Sequence, residues 1–361
     1  MLARRSILMH PIAGAIELPL LVPAFSSKGF GFRSTGRGRG KREFSEIAYE
    51  LSDFGRRPSG SVMISAYDLH FSHFDAPELG SKKPATYLRN SRLVIMDSGG
   101  YELVPDFDTS EPKTFAYAPK DGYGLGEYES ELQRLVSLRK PLPLVIANFD
   151  HAARGQAITL QIKLARSLFR KYTGCMSNFI IKPWTPDSKL IDPSQMTDSD
   201  LGNLGGFDII GVTEKELGKD IFERIKRIAK LRRRLDNAKV RAPIHVWGGL
   251  DPVMTPLYFF AGAEIFDGVS WLRYAYKDGV AMNRECYAVV SQIGVTASQQ
   301  LNHAYASLDN LTALDNLAIA LQQWVDFDGK KFDMFHLQVR DYLRRAYEIM
   351  TSKLDELKGG V

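Results

Sequence analysis

Two aspartates, each closing an apolar run, are the residues best placed to do chemistry. In LVIMDSGGYE (93–102) the run stops at Asp97, and Ser98, Gly99, Gly100 and Tyr101 follow. In GAEIFDGVSWLR (262–273) the run ends on Asp267. A carboxylate behind such a run has to be paired, hydrogen-bonded or functional, because burying it alone is costly. A single Asp-Ser-Gly-Gly also reads as a helix cap or a tight turn. Two acids in different surroundings can instead divide the labour, one as nucleophile and one as general acid and base. The glycine pair would let backbone approach a flat ligand. Tyr101 and Trp247 offer stacking faces, with ordinary core packing as the alternative.

Eight short apolar runs carry these residues: 20–25, 62–67, 93–99, 144–150, 179–184, 207–213, 243–249 and 264–271. Most are continuous rather than alternating, which predicts parallel strands covered on both faces. Amphipathic helices are expected between them, at 129–138, 159–171 and 220–235. The last of these should bury Ile221, Ile225, Ile228, Leu231 and Leu235. The expected fold is α/β, a (β/α)8 TIM barrel over residues 1–290, with a C-terminal helical extension, 291–361, packed on its exterior. An open doubly wound sheet is the alternative, weakened because no GxGxxG follows the first strand. In a barrel, Asp97, Asp150, Lys182, Thr213, Trp247 and Asp267 would all fall at the C-terminal ends of strands, where active sites form.

Composition bounds the rest. The 361 residues are 44% hydrophobic and 25% charged, with a net charge of +5, an ordinary globular mixture that leans towards an anionic partner. Two cysteines, Cys175 and Cys286, make neither a disulfide framework nor a metal knuckle, and a reducing, cytoplasmic setting is expected. His10, Pro11 and Glu17 break the apolar N-terminus, so neither a signal peptide nor a membrane span is expected. His70 and His73 lack further ligands nearby, and no metal is expected; His245 reads as an interior histidine. A glycine-arginine stretch, 28–44, is expected to form a mobile basic loop. There Arg33, Arg37, Arg39, Lys41 and Arg42 could neutralise phosphates. Arg227, Lys230, Arg232, Arg233 and Arg234 on the 220–235 helix could do the same, or form a solvated basic face. Residues 101–128 read as a long insertion, a lid or binding loop.

The motifs resemble those of the tRNA-guanine transglycosylases. MDSGGYE resembles that family's DSGG-aromatic-Gln motif, and GAEIFDGVSWLR its Gly-x-Asp-x-Phe-Asp segment, with Arg273 at the arginine six residues beyond the aspartate. LPLLVPAF is similar to its first strand and ISAYDLHF to its Asn-Thr-Tyr-His-Leu element, with Tyr67 at the tyrosine. NFDHAA is similar to the strand bearing the base-reading aspartate, here Asp150. IIGVTEKE is similar to the Gly-Gly-Leu-x-x-Gly-Glu loop, with Gly211 and Glu216 at its second glycine and glutamate. The resemblance runs in matching order from about residue 18 to 285. It implies a base exchange in which Asp267 attacks C1′ and expels guanine, while Asp97 serves as acid and then base. Asp150 would read the base edge, amides around Gly211 and Val212 would meet its O6, and Tyr101 and Trp247 would stack on it. Ser98, Gly99, Gly100, Lys182, Glu216 and Arg273 complete the implied substrate site.

Departures from the family's pattern redirect the expectation. Its tRNA enzymes hold zinc on three cysteines and a histidine, a site that two cysteines cannot make, so no cofactor is expected. Lys182 stands at a base-reading glutamine, Glu102 at another glutamine, and Ile210 at the first glycine of the Gly-Gly-Leu loop. The zinc-less pattern resembles the DNA 7-deazaguanine transglycosylases. DNA and a 7-deazaguanine base such as the 7-cyano form are therefore the expected partners, with a helper ATPase to open duplex as a further one. The same chemistry on tRNA is the alternative. A non-catalytic nucleic-acid-binding paralogue and an unrelated barrel hydrolase or lyase are the other readings.

Overall fold

The computed structural model describes residues 2–35, 42–54, 60–75, 84–104, 117–185 and 187–356. Its main sheet is a closed barrel of eight strands in sequential order. These are β1 (Leu20–Phe25), β2 (Ser61–Ser65), β3 (Leu93–Asp97), β4 (Leu144–Ala147), β5 (Met176–Ile181), β6 (Ile209–Thr213), β7 (Ile244–Trp247) and β8 (Ile265–Gly268). The pairings are parallel, and the fold is the expected (β/α)8 TIM barrel. Each of the eight apolar runs overlaps a strand, because a parallel strand buried on both faces favours apolar residues along its length. Val94, Ile95 and Met96 on β3, for example, are all fully buried.

The chain groups into two units. One comprises Met1–Leu8, Ile16–Pro23 and Ile181–Val361, and the other Met9–Ala15 and Ala24–Ile180. The second holds β2 to β4 and the helices α1 (Leu125–Val136) and α2 (Ile158–Phe169). The first holds β6 to β8, α3 (Ile221–Asn237), α4 (Met254–Phe260), α5 (Gln299–Asp326) and α6 (Arg340–Glu356). In that unit the C-terminal helices pack on α4: Phe260 meets Trp324 of α5 at 4.2 Å between ring centroids and Tyr347 of α6 at 5.2 Å. Aromatic pairs at these spacings contribute beyond their area alone. No helix among the described residues is long and apolar enough to cross a membrane.

Helix α3 starts where Asp220 caps the Glu223 amide at 2.8 Å, satisfying one of the orphan donors of the first turn. Ile225, Ile228, Leu231 and Leu235 are buried as the periodicity requires, but Ile221, in the first turn, is exposed. Arg232 corrects the expectation of a solvated or phosphate-binding cation. Its side chain is 0% exposed, pairs with Asp236 at 2.7 Å, and donates to the carbonyls of Val240 (2.7 Å) and Ala242 (2.9 Å). Gly262, at φ +104°, makes room for it: a Cβ there would lie 2.6 Å from the Arg232 Cγ.

The glycine-arginine stretch also differs from a single loop. Phe32–Thr35 and Arg42–Ser45 pair as an antiparallel ribbon, with Thr35 opposite Arg42. Arg37, Arg39 and Lys41 lie outside the described residues. Arg33 is exposed and pairs with Glu46 at 3.2 Å.

Candidate functional site

In the unit containing β2 to β4, the sequence-predicted residues meet at the ends of β3 and β4. Strand β3 ends on Asp97, half-buried, which accepts the Gly99 amide at 3.3 Å. Ser98 is fully buried and donates its hydroxyl to Asp150 at 2.6 Å, a short charge-assisted bond. Asp150 reaches that position because β4 stops early. After Ala147, the Asn148 side chain takes over the strand's pairing, donating to the Ile180 carbonyl (3.2 Å) and accepting the Ile180 amide (2.6 Å). The backbone is thereby released to turn at residues 149–153.

The two glycines are required by contact. Gly99 sits at φ +90°, and a Cβ there would lie 2.8 Å from Tyr67 and 2.9 Å from Tyr123. A Cβ on Gly100 would press the Asp150 carboxylate at 3.1 Å. Tyr123 reinforces the turn by donating its hydroxyl to the Ser98 carbonyl at 2.8 Å.

Residues beyond the motif hold its far end. Lys28, buried, donates to the carbonyls of Tyr101 (2.9 Å) and Val104 (2.8 Å), and its ammonium lies 4.2 Å from the centre of the Tyr101 ring. One face of the expected stacking residue therefore already carries a cation, a contact of about 0.5–2 kcal/mol. Glu102 is buried and accepts hydroxyl bonds from Ser26 and, at 2.8 Å, from Ser65. Sequence reasoning missed Ser26, Ser27 and Lys28, although three polar residues directly after the apolar run of β1 are the same signal that singled out Asp97. Ser27 and His73 both bond Asp68, the latter at 2.9 Å, so His73 serves an interior polar network. On its other side His73 lies 2.8 Å from the Lys120 ammonium.

Burial, aided by the charge of Asp68, raises the Glu102 carboxyl from its ordinary 4.5 to about 7. The folded state therefore binds a proton that the unfolded chain has released between those values. Stability from this group is full below about 4.5 and is lost as pH rises through 7, on the order of 3 kcal/mol in all. Urea unfolding of the wild type should show a falling midpoint between pH 5 and pH 8. In Glu102→Gln, which keeps an acceptor for the serines, that fall should flatten; an unchanged slope would remove Glu102 as its source.

In the other unit, β6, β7 and β8 assemble a second cluster. Asp267 is 2% exposed near the end of β8. His245 Nε2 lies 2.9 Å from its Oδ1, and the Gly248 amide donates to the same oxygen at 3.3 Å. His245 and Trp247 alternate onto one face of β7, where their rings stack at 4.5 Å between centroids. One face of Trp247 is thus taken by His245, and its indole Nε1, buried, has no hydrogen-bond partner among the described residues. His245 was legible as an interior histidine but not as the neighbour of Asp267; the period-2 alternation with Trp247 was the available clue.

Lys182, just past β5, donates to Thr213 Oγ1 (3.1 Å) and pairs with Glu216 Oε2 (3.2 Å), both groups nearly buried. Three of the expected positions, 182, 213 and 216, are therefore one cluster. Gly211 and Val212 lie within β6, opposite His245 and Val246. Arg273 ends the short helix Ser270–Arg273 that follows β8.

No family model matches this chain, and no curated protein does. What the site can do thus rests on its own groups. One cluster offers a hydroxyl-braced carboxylate, Asp150, beside Asp97 and a glycine turn. The other offers a buried carboxylate whose described contacts both fall on one oxygen, next to a stacked indole, and a lysine neutralised by Glu216 stands at the end of β5.

Proposed function

We propose that this protein is a base-exchange transglycosylase that replaces guanine in DNA with a 7-deazaguanine. The observation that carries the reading is Asp267: a buried carboxylate at a strand end whose contacts among the described residues, His245 Nε2 at 2.9 Å and the Gly248 amide, both fall on Oδ1, so that Oδ2 would carry the attacking lone pair. Attack on C1′ breaks the C1′–N9 bond, and the bonding pair passes to the base. Asp97 protonates the departing guanine, leaving a glycosyl ester on Asp267. The incoming base then loses its N9 proton to Asp97, attacks C1′, and releases the Asp267 carboxylate.

Asp150 suits the reading of the N1–H and exocyclic amine that guanine and its 7-deaza analogues share, since Ser98 fixes its orientation. Rotational freedom removed before binding is affinity gained. Tyr101 and Trp247 are the aromatic rings proposed to stack on the base, at roughly 1–3 kcal/mol per stacked ring. Lys182, neutralised by Glu216, presents an ammonium to an electron-rich edge such as a carbonyl or nitrile.

Purified protein given radiolabelled 7-deazaguanine bases and either duplex DNA or tRNA tests this directly. Label is expected in DNA. Label in tRNA alone would overturn the DNA assignment, and label in neither polymer, with any of the bases, would overturn the exchange reading.

A further inference from the structure

Helix α3 carries a second cluster that the exchange chemistry does not use. Lys226, Lys230 and Arg233 are spaced four and three residues apart, so they share one face of the helix. With Arg227, Asp192, Ser194 and Leu354 they line a cavity of about 340 Å³. Among the described residues, no hydrogen bond or ion pair engages the side chains of Lys226, Lys230 and Arg233. Arg227, in contrast, is fixed by the Leu217 carbonyl at 2.5 Å and by Glu223 at 3.2 Å.

The opposite wall is built to stay in place. Arg234 donates to the carbonyls of Pro193 (2.7 Å) and Ser194 (2.9 Å), tying the turn Pro193–Gln195 to the helix. Asp192, the one carboxylate in the lining, is turned into that same turn, where it accepts the Ser194 amide at 3.0 Å and Gln195 Nε2 at 3.2 Å. Four cations thus face one carboxylate in the lining, Asp192, which is hydrogen-bonded within its own turn and feels the charge of Lys230. Cations along a helix face, in excess of the carboxylates beside them and without an ion pair among the described residues, suit a chain of phosphates better than a single carboxylate.

We infer that this groove binds the phosphodiester backbone of a nucleic acid, with Lys226, Lys230 and Arg233 as the phosphate contacts. The inference rests on the nucleic-acid partner of the exchange reading but not on its chemistry. It relocates the phosphate contacts within α3, away from the buried Arg232 and the turn-bound Arg234.

Anisotropy titrations of fluorescent duplex DNA and of tRNA across a salt series provide the test, with the full-length protein and a triple variant, Lys226→Ala, Lys230→Ala and Arg233→Ala. A charge-matched control replaces exposed Lys140, Lys163 and Arg170 by alanine. The groove variant should bind at least about 30-fold more weakly near 0.1 M salt, and its slope of log affinity against log salt should fall by up to about 2.7, or 0.9 for each lost contact on duplex DNA. The control should change both much less. Preference for DNA or for tRNA identifies the source of the backbone. Equal losses in groove variant and control, or no nucleic-acid binding by the wild type, would overturn the inference. If the groove variant loses binding while wild-type protein incorporates no label, the groove stands and the exchange reading falls.

Discussion

Asp267→Asn should abolish base exchange while leaving nucleic-acid binding within about two-fold of wild type. The substitution is isosteric, and an amide oxygen can still accept the Gly248 amide, so the site should keep its shape. What disappears is the nucleophile. Loss of a covalent nucleophile from a site whose parts act together typically costs 10⁴-fold or more in turnover. The covalent species gives a second readout: wild-type protein mixed with substrate and quenched in acid should carry a sugar-linked adduct, detectable by mass, that Asp267→Asn lacks. An adduct on the asparagine variant, or exchange within ten-fold of wild type, would transfer the nucleophile's role elsewhere. His245→Ala should fall between the two. It removes a group at 2.9 Å that orients the carboxylate, and a positioning residue lowers turnover without abolishing the adduct.

The largest stability effect is expected at Arg232. Replacing it with methionine keeps most of the packing volume but orphans the Val240 and Ala242 carbonyls and removes a charge 3.9 Å from buried Glu264. Breaking a buried pair from one side costs about 3–5 kcal/mol, because the remaining group loses its compensation. Glu264 keeps Arg4 at 3.0 Å, which argues for the lower half of that range. Urea unfolding followed by circular dichroism would measure it. A loss below about 1 kcal/mol would show that Arg232 is tolerated rather than required.

The barrel was legible because its physics is repetitive. Strands enclosed on both faces must be apolar throughout, and eight such runs separated by helix-length intervals leave few architectures. Their limits were less legible. Ala66 and Tyr67 continue the apolar run of β2 but already belong to a helix, Ala66–His70, because nothing in hydrophobicity marks where the ladder ends. Strand β5 begins at Met176, earlier than its apolar run, since Ser177 and Asn178 conceal its start. In the site, Asp97, Ser98, Asp150 and Lys182 announced themselves as polar residues at strand ends. Lys28, Glu102 and His245 did not, because a polar residue inside an apolar context shows its partner only once the chain has brought the two together. Arg232 was misread for the same reason: within a run of cations, nothing local separates the buried one from its solvated neighbours.

The Asn148 side chain that substitutes for backbone at the end of β4 has a consequence for how recognition can change. By carrying the pairing with Ile180 itself, it uncouples the following turn from the wall of the barrel. Phe149 and His151 can then be exchanged for other residues without unzipping neighbouring strands. A scaffold so insulated can drift towards new ligands at little risk to its integrity.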